Sequence, residues 1–359
     1  MKKTTQFSIA LLALAALGGC HSPPLNPYSD ATPPLALVPA AHTLEADGRG
    51  RFREILCALL EARRTELPDY RPCEEALSRV GIEPTGTSQT VAFTPSQRGL
   101  VAAIVLGFGY DCFDSWLGST GTTSDHLRRQ GYESTLIPVE GLSSSTRNAQ
   151  LIRDALIALP SEPGAPRIVL IGYSKGATDM LEALVTYPEL RSRVAAAVSV
   201  AGTVGGSPLA NDASQDMAEL LQNIPGAKCT PGDRGAVASL VPDTRRAWLA
   251  ANPLPRDVRY YSLATFPRPE RISSILKKSY NKLGRIDARN DSQVIFYDQL
   301  IPGSTLVGYV NADHWALAVP IARTHPTIGS MFVTENAFPR EVLAEALLRF
   351  IEEDLGSRQ

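Results

Sequence analysis

Charge imbalance is what this sequence most plainly lacks: 35 lysines and arginines stand against 37 aspartates and glutamates, for a net charge of −2. That near-neutrality leaves no basic footprint for a nucleic acid. There is no internal repeat, no heptad pattern and no long run of one charge, which excludes solenoids, coiled coils and charged interaction tails. The five cysteines form no C-x-x-C pair and no Cys/His ligand spacing, so neither a metal site nor a metal cofactor is expected. Histidine is rare as well, with five in 359 residues, and chemistry that needs an imidazole has few candidates. What is present is bulk. A hydrophobic content of 44% over that length suffices for one large α/β domain with an accessory piece.

The N-terminus is informative. Met1-Lys2-Lys3 supplies a positive region, Phe7 to Leu17 a short apolar region and Leu17-Gly18-Gly19-Cys20 an end, so residues 1–19 read as a signal peptide too short to span a bilayer as a mature helix. Its last four residues resemble the lipobox of bacterial lipoproteins. That resemblance implies cleavage before Cys20, diacylation of its thiol and acylation of the new amine. The plainer alternative is an ordinary secretory signal that happens to end in cysteine. His21 stands where an aspartate is absent, which the lipoprotein pattern associates with an outer-membrane destination facing the periplasm or cell surface. Multiple acyl chains make such an anchor stable, so the membrane is an expected partner through Cys20.

Cys57, Cys73, Cys112 and Cys229 remain, an even number in an oxidising compartment, and two disulfides are expected. Four cysteines allow three pairings. Cys57 with Cys73 would staple the N-terminal helical piece, and Cys112 with Cys229 would tie the loop after an early strand to a region after the central motif.

Residues 20–42 are rich in proline and small residues and read as an extended tether. Residues 43–89 read as a helical N-terminal extension, with Ile55, Leu56, Leu59 and Leu60 on one face and a break at Pro68. From residue 90 the pattern alternates strands and helices. Val91–Phe93 is a candidate first strand, and Leu100–Leu106 a buried one that ends in Gly107-Phe108-Gly109-Tyr110-Asp111. A helix over Thr123–Gln130, a strand over Tyr132–Val139 and a helix from Ser143–Thr146 to Leu159 follow. After the Ile168–Ile171 strand and its helix come a strand at Val194–Val200 and a proline-broken insertion at about 208–256, which reads as a cap. Val258–Ala264 and Ser304–Val310 complete the strands, Ile272–Leu283 reads as a helix, and Arg340–Leu355 is an amphipathic closing helix. Such β-α-β alternation calls for a mostly parallel sheet flanked by helices.

The stretch that organises the chain is the apolar run through Ile168–Ile171, the pentapeptide Gly172-Tyr173-Ser174-Lys175-Gly176 and the helical pattern after it. A serine at the tip of so sharp a strand-to-helix turn sits in strained backbone, and its flanking positions must lack a Cβ because strand and helix pass too close. Helix-terminal amides beneath it would stabilise negative charge on a substrate oxygen. A serine hydroxyl is a poor nucleophile at neutral pH. It needs an imidazole to take its proton and a carboxylate to orient that imidazole. His21 and His42 lie in or beside the tether, His126 is on an early helix and His325 precedes a proline. His314 alone follows a late strand. Asp291 is the best acid, with Asp287, Asp298 and Asp313 as competitors. The amides of Lys175 and Phe108 are the candidate oxyanion donors. The lysine ammonium is expected to reach solvent or a cap carboxylate, or else to favour anionic substrates.

With these pieces in view, the chain from about Val91 to Leu355 resembles the α/β-hydrolase fold and, within it, bacterial secreted lipases and esterases. The carrying residues are Gly172–Gly176 with its strand and helix, the Val198–Ser207 segment similar to the lipase Gly-Thr-Pro-His-x-Gly-Ser turn, Asn290-Asp291 similar to the Asn-Asp-Gly acid loop, and Asp313-His314-Trp315. Three positions depart from the pattern. Leu106-Gly107-Phe108 lacks the usual histidine before the glycine, Val204-Gly205 replaces Pro-His, and Ser292 replaces the acid-loop glycine. The resemblance implies ester hydrolysis through an acyl-enzyme, with no cofactor, on a small-molecule or lipid ester, and no protein partner. The alternatives are a non-catalytic envelope module on the same fold, and an amidase or thioesterase using the same residues.

Overall fold

The computed structural model describes residues 46–67, 69–112, 121–160, 167–213, 229–318, 320, 323, 327 and 337–357. The signal segment, Cys20, the tether, His21, His42 and His325 lie outside the described residues. In chain order the elements are β1 (Ala46–Asp47), α1 (Arg49–Ala62), α2 (Cys73–Ala76), β2 (Leu77–Ser78), β3 (Leu100–Val105), α3 (Gly121–Arg129), β4 (Glu133–Ile137) and α4 (Ser145–Ala158). They continue as β5 (Arg167–Tyr173), α5 (Lys175–Thr186), β6 (Val194–Val200), α6 (Ala236–Ser239), α7 (Pro242–Ala251), β7 (Arg259–Thr265), α8 (Lys277–Leu283), β8 (Thr305–Val310) and α9 (Arg340–Ser357).

The strands form one sheet in the order β1-β8-β7-β6-β5-β3-β4, with β2 joined to β8. Every pairing is parallel except β2 with β8. The middle strands are short aliphatic runs because both faces are covered. Alternate residues of β3 and β5 go to opposite layers: Ala102 and Val169 pack with α1, α3 and α9, while Ala103 and Leu170 pack with α4 and α5. Each fully buried aliphatic side chain of these layers contributes roughly 1.5–3 kcal/mol. The chain leaves β3 toward β4 and then returns to β5 on the other side of β3, which opens a crevice outside the carboxyl ends of β3 and β5.

Several sequence expectations change in detail. Val91–Phe93 is not a strand; both edges of β3 are taken by β4 and β5. The Ile272–Leu283 pattern is divided into a 3-10 turn at Ser274–Leu276 and the shorter α8. Residues 46–78 carry the expected helix, and they also stitch β1 and β2 onto β8. Two-residue strands are too short to show an alternation. Phe52 of α1 meets Phe350 of α9 edge to face at 6.0 Å, which locks this segment into the main core.

Both disulfides are formed as Cys57–Cys73 and Cys112–Cys229, with Cα separations of 5.0 Å and 3.9 Å. The first joins α1 to α2. The second joins the loop after β3 to the insertion, which is described at 208–213 and 229–256. Among the described residues, no helix is long and apolar enough to cross a membrane.

Candidate active site

The turn between β5 and α5 is as tight as its sequence demands. A Cβ on Gly172 would lie 2.4 Å from the Ala177 Cα, and one on Gly176 would lie 2.1 Å from the Val105 carbonyl oxygen. Glycine is therefore what lets the helix turn back across β3 and β5. Ser174 between them has φ +56° and ψ −126°, a strained backbone that L-residues adopt only when their surroundings enforce it. Its enforcing bonds run from Ser174 N to the Val200 carbonyl at 3.2 Å, and from Thr203 N and Ala177 N to the Ser174 carbonyl at 3.0 and 3.1 Å.

The structure brings Ser174, His314 and Asp291 together. Ser174 Oγ is 2.9 Å from His314 Nε2, and His314 Nδ1 is 2.7 Å from Asp291 Oδ2. A neutral imidazole that donates from Nδ1 to the carboxylate presents its Nε2 lone pair to the serine hydroxyl, the tautomer that proton removal requires. All three groups are buried, so the charge separation of proton transfer would be felt at low dielectric.

Asp291 is rigidly held. Its Oδ1 accepts from the amides of Gln293 at 2.9 Å and Val294 at 2.8 Å, and its Oδ2 also accepts from Thr265 Oγ1 at 2.8 Å and Gln299 Nε2 at 3.3 Å. Ser292, which stands where the lipase pattern has glycine, has φ +79°, a left-handed conformation that glycine adopts more cheaply. Its amide donates to Asn290 Oδ1 at 2.9 Å, which fastens the turn. His314 is gripped from its backbone as well, since its amide donates to the Asp291 carbonyl at 2.9 Å and its carbonyl accepts from the Tyr173 hydroxyl. Burial beside Asp291 and Asp313 pushes the Tyr173 phenol well above its usual range, so it stays a donor.

The competing acids are occupied elsewhere. Asp313 accepts from the amides of Ser273 and Ala316, each at 2.9 Å. Asp287 accepts from the Arg289 amide at 2.8 Å. Asp298 lies under Gly205, whose amide donates to its carbonyl at 2.7 Å, and burial raises its carboxyl to about 7. His126 bonds Glu345 at 2.7 Å, away from the serine.

Phe108 and Lys175 flank Ser174 on separate elements. The loop after β3 runs against the serine so closely that a Cβ on Gly107 would sit 2.7 Å from the Ser174 Cβ. Lys175 opens α5. Among the described residues, neither amide donates to another group. The lysine side chain departs from expectation: its ammonium reaches neither solvent nor a cap carboxylate and does not face a substrate. It is fully buried and bonds both Asp179 oxygens at 2.7 and 2.8 Å. One turn of helix separates the two residues, which is the spacing that joins them.

This buried pair belongs to a longer chain of bonds that sequence reasoning missed. Asn148 Nδ2 donates to Asp179 Oδ2 at 2.7 Å and to the Glu140 carbonyl at 3.0 Å, while its Oδ1 accepts from the Glu140 amide at 3.0 Å. Next to Glu140, the Gly141 carbonyl accepts from Gly109 N at 3.1 Å and the Gly141 amide donates to Asp111 Oδ1 at 3.0 Å. Asp111 Oδ2 accepts from Thr230 N at 3.0 Å, next to the Cys112–Cys229 bridge. The serine helix, the Phe108 loop and the insertion are thus bonded to one another. The i,i+4 spacing of Lys175 and Asp179 was a readable signal; Asn148, Thr265 and Gln299 act across sequence distances that leave none. Among the described residues, no group of three or more His, Cys, Asp or Glu side chains is arranged to hold a metal ion.

A mostly parallel sheet with helices on both faces, and a serine at the sharp turn after its central strand, define an α/β-hydrolase fold. The chain is 38% identical to the metagenomic carboxyl esterase MGS0156, over 96% of this chain and 99% of that one, with a TM-score of 0.82. It belongs to the family of that carboxyl esterase. Staphylococcus hyicus lipase, at 12% identity and a TM-score of 0.51 over 73% of this chain and 99% of that one, shares the fold. So does Bacillus licheniformis lipase BlEst2 in its propeptide form, at 20% identity and a TM-score of 0.50 over 68% of this chain and 53% of that one. No family model matches the sequence, and no curated protein matches it.

Proposed function

We propose that the protein is a lipid-anchored serine hydrolase that cleaves carboxylic esters through an acyl-enzyme intermediate. The reading is carried by the unbroken hydrogen-bonded line from Asp291 through His314 to Ser174, in a chain 38% identical to a carboxyl esterase. In this mechanism His314 Nε2 takes the Ser174 proton as Oγ attacks the ester carbonyl, and Asp291 stabilises the imidazolium that forms. The amides of Lys175 and Phe108 receive the oxyanion, where fixed dipoles in a dry site are worth most. His314 returns its proton to the departing alcohol, and water then repeats the sequence to release the acid. Anchoring through Cys20 is supported by the lipobox-like Leu17-Gly18-Gly19-Cys20, which would place the hydrolase in the bacterial cell envelope.

The test is hydrolysis of p-nitrophenyl esters from acetate to palmitate, run with Ser174→Ala and with a fluorophosphonate label. Wild type should turn over and take the label, and the variant should lose at least about a thousandfold in kcat; the chain-length optimum reports the depth of the acyl site. A folded wild type that does neither overturns the enzyme reading. For the anchor, Cys20→Ser should abolish incorporation of labelled palmitate, and retained incorporation would sink that part.

A further inference from the structure

The segment that follows β7 is cationic in a chain that as a whole is not. Between Arg268 and Ile286 lie Arg268, Arg271, Lys277, Lys278, Lys282 and Arg285 against the single acid Glu270, in a chain of net charge −2. Helical spacing sets Lys277, Lys278 and Lys282 within an arc of about 140°, opposite the buried Tyr280 and Leu283. The turn after α8, closed by Arg285 N to the Lys282 carbonyl at 3.3 Å and Ile286 N to the Leu283 carbonyl at 2.8 Å, continues with the exposed Arg285 and Ile286. Ile275 and Ile286 are 47% and 38% exposed. Lys282 pairs with Asp212 and Arg271 with Glu75; Lys277, Lys278 and Arg285 make no ion pair among the described residues.

This face also stands beside the candidate active site. Ser273, just before Ile275, donates its amide to Asp313 at 2.9 Å, and Asp313 precedes His314. Trp315, which follows it, packs on Ile272, Leu276 and Tyr280. Ser279 and Tyr280 of the helix also accept from Gln293 Nε2 and Asn290 Nδ2, at 3.4 Å each, the residues that flank Asp291. The cationic side is therefore roughly one helix diameter, about 10 Å, from the histidine loop.

We propose that the outer face of α8, with Ile275 and Ile286 at its edge, docks on an anionic lipid surface, with the histidine loop on the other side of the helix. Cations satisfied by headgroup phosphates and isoleucines inserted at the acyl boundary are the two contacts such a surface offers. The arrangement has both and has them together. The proposal goes beyond the ester-hydrolase reading and does not depend on it, because docking needs no turnover.

The test is partition of the full chain into vesicles of phosphatidylcholine alone and of phosphatidylcholine with phosphatidylglycerol, with wild type, Lys277→Gln/Lys278→Gln, Ile275→Ser and Ser174→Ala. The N-terminal segment is common to every arm and cancels in the ratios. Wild type should prefer the anionic vesicles, and the preference should vanish at about 0.5 M salt. The double variant should lose about 25-fold in partition into anionic vesicles, fivefold per cation, and nothing into neutral ones. Ile275→Ser should weaken both, and Ser174→Ala neither. Thermal melting of each variant identifies any loss that is only unfolding. Equal partition of wild type into both vesicle types, or an unchanged double variant, overturns the proposal. Salt-sensitive binding to polyglutamate without vesicle binding would assign the face to an acidic protein instead and overturn it too.

Discussion

Lys175 and Asp179 close a fully buried ion pair one helical turn apart, directly behind the serine that Lys175 follows. Desolvation offsets most of the attraction in such a pair, yet removing one partner leaves the other charged and unmatched in the core. Asp179→Leu should therefore destabilise the protein by about 3–5 kcal/mol, read from urea unfolding. Lys175→Met/Asp179→Leu should recover most of that loss. If the double variant is no better than the single, the cost comes from the Asn148 bond and not from the orphaned ammonium.

Thr265 is argued from the other side of the site. Its hydroxyl donates to the same Asp291 oxygen that His314 engages, and hydrogen bonds to charged groups are worth about 1.5–3 kcal/mol. Thr265→Val keeps the shape and removes the donor. It should lower kcat of ester hydrolysis by about tenfold to a hundredfold with KM nearly unchanged, while Asp291→Asn, which spoils the tautomer, should cost about ten-thousandfold. A larger change in KM than in kcat would show that Thr265 shapes the substrate site instead.

The contrast between Ser174 and Thr265 explains what was legible in the sequence. Ser174 announces itself because the turn that presents it has local requirements, two glycines and flanking elements of opposite period. His314 and Asp291 are legible by order along the chain and by scarcity of histidine. Thr265, Gln299 and Asn148 look like any polar residues, since their partners are brought by the fold from 26, 8 and 31 positions away. The β1 and β2 strands are missed for a related reason: each gains its place only from β8. Lys175 shows the reverse failure. Its i,i+4 spacing to Asp179 is readable, but that spacing is equally at home on a surface, and only packing reveals that the pair is buried.

The two disulfides close loops of very different length, with sequence separations of 16 and 117. Chain entropy alone gives about 3 kcal/mol for the short loop and about 5 kcal/mol for the long one. Cys229→Ser should also affect activity, because it removes the covalent tie between the insertion and the loop that carries Asp111 and Phe108 and leaves the bond from Thr230 N to Asp111; Cys57→Ser, at the α1–α2 junction, should not. Comparing kcat of the two variants with their unfolding midpoints separates these effects. Equal losses of kcat at equal stability would refute a special role for the Cys112–Cys229 bridge.

Glu345 supplies a prediction about acid. Its carboxylate is wholly buried and receives Arg63 through two nitrogens at 2.7 and 2.8 Å, His126 at 2.7 Å and Arg349 at 2.9 Å. Burial alone would raise its pKa; the bonds from His126, Arg63 and Arg349 outweigh burial and bring it down to about 2 from an ordinary value of 4.5. A carboxylate with a depressed folded-state pKa adds stability that is complete above the unfolded value and fades as pH falls through the folded one. The contribution, about 3 kcal/mol, should therefore hold above about pH 4.5 and disappear toward pH 2. Since Glu345 joins α9 to α1 and α3, its loss should loosen the whole layer on that face of the sheet. Urea unfolding of wild type and Glu345→Gln measures this directly: the gap between them should be widest near pH 6 and should close as pH falls below 3. A gap that stays constant with pH would mean that the glutamate stabilises by packing and not by charge.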